Sequence, residues 1–162
     1  MLVIIKETIM EAIKVGDNFL IHVNIKKAKN VFGFVTSLNF PVDALEINQN
    51  TGQPDVVMGK FLGDKATILA NLSLNTTNNV GTLIIGYSLK GATPEKNGGG
   101  LMFSIRARAV KEGEHQLVWS ANSTVQDSNL VNQPSNFEDF LLKVEKDVPD
   151  INIVSITMER IN

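Results

Sequence analysis

Gly33-Phe34-Val35-Thr36-Ser37-Leu38-Asn39-Phe40-Pro41-Val42-Asp43-Ala44-Leu45-Glu46-Ile47 is the stretch on which the fold turns. Phe34, Leu38 and Phe40, with Phe32 just ahead of them, recur with a period of two. That is the spacing of a β-strand with one buried face. If those rings face a core, Val35, Ser37 and Asn39 must face away from it. Pro41-Val42-Asp43 then interrupts the alternation, and Ala44–Ile47 resumes it.

The same pattern spreads outward in both directions. Val15-Gly16-Asp17-Asn18 reads as a turn, and Phe19, Ile21, Val23 and Ile25 share one face of the strand after it. Further strands are expected over 56–61, 66–74, 82–89, 101–110 and 116–122. Between them lie Asn50-Thr51-Gly52, Asn78-Asn79-Val80-Gly81, Asn97-Gly98-Gly99-Gly100 and Glu112-Gly113-Glu114, all turn chemistry. Eight or more short, regularly spaced strands predict an all-β sandwich.

Two regions read less simply. Ser135-Asn136-Phe137-Glu138 has the form of a capping box, while Phe140, Leu142 and Val144 alternate. The reading favours a strand over 140–146 after a short helical turn. Beyond a linker-like Asp147-Val148-Pro149-Asp150, the tail echoes the beginning of the chain. Ile151, Ile153, Met158, Glu159 and Ile161 align with Val3, Ile5, Met10, Glu11 and Ile13. The expected division is a module over 1–146, with 147–162 a linker and either an extra strand or the start of a following module.

Composition narrows the function classes. Fifteen basic residues against seventeen acidic ones give a net charge of −2, without the basic excess of a nucleic-acid binder. With no cysteine, disulfide scaffolds, thiolate zinc sites and cysteine nucleophiles are excluded. Apolar runs such as 2–5 and 83–85 fall far short of the roughly 20 residues of a membrane span. The opening Met1-Leu2-Val3-Ile4-Ile5-Lys6 lacks the basic region of a signal peptide, so any leader is expected elsewhere in a longer chain.

Chemistry-bearing motifs are sparse. His22 and His115 have no neighbours at metal-ligand spacing and are expected at the surface. The glycine run 97–100 has no Lys-Ser/Thr after it and precedes a strand, so it cannot seat a phosphate on a helix. Asp43, Glu46 and Asp55 share one loop region, which leaves calcium a possible ligand; solvated charges are the plain alternative. The sequons at Asn71, Asn75 and Asn122 are what seventeen asparagines produce by chance. Trp119 alternates with Leu117 and is expected in the core.

Three stretches together resemble a cohesin module, the dockerin-binding domain of cellulosome-type scaffolds. They are Val15–Val23; Gly33–Ile47; and Gly100-Leu101-Met102-Phe103-Ser104-Ile105-Arg106-Ala107-Arg108-Ala109 followed by Gly113. Where that family carries a Tyr-Asp-Pro corner, this chain reads Phe40-Pro41-Val42-Asp43. The resemblance implies a jelly-roll β-sandwich of about nine strands and a non-catalytic module docking a dockerin-like protein partner outside the cell or at its surface. It also implies a binding face on four strands, whose outward positions here are Val35, Ser37, Asn39, Leu69, Asn71, Ile84, Ser88 and Val118. A polysaccharide-binding module and a structural adhesion repeat are the alternatives on the same kind of sandwich.

Overall fold

The computed structural model describes residues 12–64, 73–147 and 154–161. Among them the chain forms fourteen strand segments and no helix. In chain order these are β1 (Ile13–Lys14), β2 (Asn18–Val31), β3 (Gly33–Pro41), β4 (Leu45–Ile47), β5 (Gln49–Asn50), β6 (Gln53–Pro54) and β7 (Val56–Met58). There follow β8 (Ser73–Thr77), β9 (Val80–Ser88), β10 (Lys96–Ala109), β11 (Gly113–Trp119), β12 (Thr124–Gln126), β13 (Asn132–Gln133) and β14 (Phe140–Glu145). The number exceeds nine because long strands are accompanied by two- and three-residue pieces.

The segments make two facing sheets and a small β5–β6 hairpin. In the first sheet β3 is central. On one side it pairs antiparallel with β9 along its whole length, and β9 pairs with β8. Its other side is shared by β11 near Leu38–Asn39 and β12 near Gly33–Val35, with β14 and then β1 beyond β11. The second sheet is built on β10, flanked by β2 on one side and by β4 and β7 on the other. The chain changes sheets between β1 and β2 at Val15–Asp17. Gly16 has φ +92° there, and Asp17 accepts a hydrogen bond from the Lys14 amide at 2.9 Å. With β1 running parallel to β14, the result is a jelly-roll sandwich.

The core lies between the sheets. Phe34, Leu38 and Phe40 of β3 are buried, with Leu83, Ile85 and Tyr87 of β9 beside them and Phe103, Ile105 and Ala107 of β10 opposite. The Phe34 ring meets Tyr87 edge-on at 5.5 Å and Phe103 at 5.8 Å, joining the two sheets. Thr36 shares this inward parity; its hydroxyl donates to the Ile85 carbonyl at 3.2 Å, so its polar group is satisfied. The Phe40 ring covers Gly81 so closely that a Cβ there would fall 2.3 Å from it.

Several expectations are revised. The segment over 140–146 is a strand, but no helical turn precedes it. Residues 97–100, read as a turn, belong to β10: Gly98 takes φ +95° and the ladder to β2 is bulged on both sides of it. β2 correspondingly runs on to Val31. Trp119 has inward parity, opposite Leu38, but stands at the end of β11 and is only half-buried. Its ring packs edge-on against Phe137 at 5.6 Å, and the indole N–H donates to the Glu138 carbonyl at 3.0 Å. The expected division at 147 is not among these revisions: residues 148–153 lie outside the described residues, and over 154–161, which carry no strand, Val154, Ile156, Met158 and Ile161 are almost fully exposed.

Phe34→Ala should therefore cost about 3–5 kcal/mol in a denaturant titration, because it empties the contact between the sheets. A cost below about 1 kcal/mol would contradict the packing. The corner gives a second expectation. The Asp43 carboxyl is held below its ordinary pKa by a hydrogen bond from Asn79 and by Lys111, whose Nζ lies 3.3 Å away. A depressed carboxyl stabilises the fold above its unfolded pKa and loses that effect as pH falls through the folded value. A carboxyl-detected NMR titration should place Asp43 below the usual aspartate range, and Lys111→Ala should move it up.

Candidate functional site

Because Phe34, Leu38 and Phe40 are locked inward, the alternate residues of β3 face solvent on the outer side of the first sheet. Val35 is 44% exposed, and Ser37 and Asn39 are part-buried among their neighbours. The registers then fix what stands beside each. Val35 lies opposite Gly86, Ser37 opposite Ile84 and Asn39 opposite Thr82 on β9. On the other flank, Asn39 lies opposite Val118, which is 38% exposed, and Val35 opposite Thr124. Ser88 closes the row at the far end of β9.

Six of the eight residues expected on the binding face thus share one surface: Val35, Ser37, Asn39, Ile84, Ser88 and Val118. Leu69 and Asn71 lie outside the described residues. The pattern alone did not single out Thr82, Gly86, Thr124 or Val80, which belong to the same face. Gly86 could have been found, since its parity follows from Ile84 and Ser88. Thr124 could not, because β12 becomes a neighbour of β3 only through the turn after β11.

Hydrogen bonds tie the strands of this face together. Thr82 donates its hydroxyl to Asn39 Oδ1 at 2.8 Å, tying β9 to β3 on the outer side. Between the end of β11 and the start of β12, Ser123 replaces the missing strand. Its Oγ accepts from the Ser37 amide at 3.0 Å and donates to the Ser37 carbonyl at 3.3 Å. The Ser120 amide donates to the same carbonyl at 2.8 Å. At one end of the face a shallow hollow of about 210 Å³ opens over Gly86, walled by Val35, Ser88 and Leu130. Leu130 takes φ +62° and is 73% exposed.

The other candidates are dispersed. Asp43, Glu46 and Asp55 each face a different cation: Lys111 at 3.3 Å, Arg108 at 2.9 Å and Arg106 at 3.3 Å. Among the described residues no three His, Asp or Glu side chains come together to hold a metal ion. His22, on the outer face of the second sheet, has Nδ1 2.7 Å from the hydroxyl of buried Ser104. His115 hydrogen-bonds through Nε2 to the Lys111 carbonyl at 2.9 Å. No described helix is long and apolar enough to cross a membrane.

No protein-family model matches the sequence. No curated protein does either. Solved structures do match. One is a non-cellulosomal cohesin from the hyperthermophilic archaeon Archaeoglobus fulgidus, 16% identical, with 83% of this chain aligned to 85% of that one at a TM-score of 0.61. Another is a cohesin in a type I cohesin–dockerin complex from Clostridium thermocellum, 14% identical over 83% and 88% of the two chains, TM-score 0.62. A third is a cohesin module from a family 33 glycoside hydrolase of Clostridium perfringens, 10% identical over 84% and 91%, TM-score 0.61. The protein has the cohesin fold.

Proposed function

We propose that the protein is a non-catalytic docking module that binds a dockerin-type protein partner on the outer face of β11, β3, β9 and β8. The observation that supports this most directly is the make-up of that face. Val35, Ile84 and Val118 are apolar, and Ser37, Asn39, Thr82, Ser88 and Thr124 surround them, as in an interface with an apolar centre and a polar rim. A hydrogen-bonded sheet presents such a surface with little to reorganise on binding, which lowers the cost of association. Structures with this fold that have been solved with a dockerin bound add support. The setting that goes with this reading is extracellular or at a cell surface.

The reading is tested by Ile84→Asp. Titration calorimetry against a panel of dockerins should find a partner for the unaltered protein and at least a hundredfold weaker binding for the variant. The melting temperature should stay nearly unchanged, since Ile84 contributes to the outer face and not to the core. Loss of the fold would place Ile84 in the core, and undiminished binding would move the partner to another face.

A further inference from the structure

We propose that the end of the sandwich away from the chain's entry and exit, formed by the start of β10 and the end of β2, binds a linear polysaccharide bearing repeated carboxylates. The near-neutral composition conceals a strong separation of charge. The β2–β10 register sets Ala28 against Gly98 and Val31 against Lys96, which brings Lys26, Lys27 and Lys29 beside Lys96. The turn carrying Lys60 joins them because the Phe61 amide donates to the Leu101 carbonyl at 3.0 Å, and the Lys96 ammonium extends over Gly63. Lys90 follows Leu89, whose amide donates to Phe32 at the end of β2.

Among the described residues six lysines therefore stand at this pole, and three carboxylates accompany them: Asp64, Glu95 and Asp127. Two of those three are already engaged. Asp127 accepts from the Asn129 and Val131 amides and from the Gln133 side chain, and Glu95 accepts from the Ser128 amide and hydroxyl. None of the six lysines enters an ion pair among the described residues; the four pairs present lie elsewhere. The backbone favours this display. Lys27 takes φ +52°, and the bulged ladder lets Lys26 and Lys27 both face solvent, where a regular strand would turn one of them inward.

The chemistry between the cations selects the ligand. Between the lysines, around the end of β2 and the start of β10, the exposed groups among the described residues are Asn24, Asn30, Asn97 and glycine backbone; exposed apolar side chains stand to either side, Leu20 toward the start of β2 and Leu130 and Val131 beyond Asp127. Polar groups, not apolar ones, therefore lie between the cations, and polyglutamate as a probe separates a peptide polyanion from a sugar one. Among the described residues no exposed aromatic ring is there to stack nucleobases, and lysine lacks the planar fork with which arginine grips phosphate. Amides and peptide groups suit sugar hydroxyls, and lysine ammoniums suit carboxylates. This inference does not depend on the docking face, which is on the outer side of the other sheet.

The test is affinity electrophoresis and calorimetry with polygalacturonate, beside neutral dextran, polyglutamate and a DNA oligonucleotide. Polygalacturonate should bind at low ionic strength, weaken steadily as salt is added, and exceed the other three. The triple variant K26E/K27E/K29E should lose at least tenfold in affinity, and K60E/K90E, on different elements, should lose affinity too. Melting curves of both should match the unaltered protein; if one variant unfolds, the other decides. Ile84→Asp should bind polygalacturonate normally. Absence of binding at low salt, equal binding by dextran, polyglutamate or DNA, or folded variants with undiminished affinity would each overturn the proposal.

Discussion

The contact on which the molecule depends is that of Phe34 with Phe103 and Tyr87. It joins the centres of the two sheets, and every assignment of faces follows from it. With Phe34 fixed inward, the pleat leaves β3 no choice: Leu38 and Phe40 share its side, and Val35, Ser37 and Asn39 take the other. Hydrogen-bonded registers carry that decision to Ile84 on β9 and Val118 on β11. A one-residue slip of β3 would bury Ser37 and Asn39 and expose Phe34, Leu38 and Phe40. The interior thus determines the composition of the outer face, although no core residue reaches it.

How far the sequence could be read follows from where side-chain alternation is strong. β3, β9 and the second half of β10 alternate cleanly, so their faces were legible, as was the sandwich itself. Legibility failed at the pole. Lys26-Lys27-Ala28-Lys29-Asn30 and Lys96-Asn97-Gly98-Gly99-Gly100 are poor strand formers, and each is extended only because the other lies beside it. Sequence-local signals cannot report such mutual support. The same limit applied to Trp119. Its parity was right, yet burial depends on what covers a strand end, and residues 137–139 leave the ring partly open.

Charge behaved in a comparable way. A net charge of −2 gives no hint of a cationic region, because the sum ignores position. At the end where the β1–β2 turn, Asp43, Glu46 and Glu145 lie, acids stand beside Lys14, Arg108 and Lys111, while among the described residues lysines gather at the other. The fold separates what the composition averages. Carboxylates at the acidic end are also the ones that meet Arg108 and Lys111 in ion pairs, whereas Glu95 and Asp127 at the basic end are occupied by backbone amides.

The parallel pairing of β1 with β14 has a mechanical consequence. Ile13 stands beside Val144, Lys14 beside Glu145, and the Val15 amide donates to the Glu145 carbonyl at 3.1 Å. Tension pulling the start of β1 backward and the end of β14 forward would drive the two strands past each other. The bonds between them would then share the load at once, as a lap joint does, instead of parting one by one like a zip. Force along the chain would be borne at that seam, while the outer face of β3 and the lysine pole remained off the line of pull.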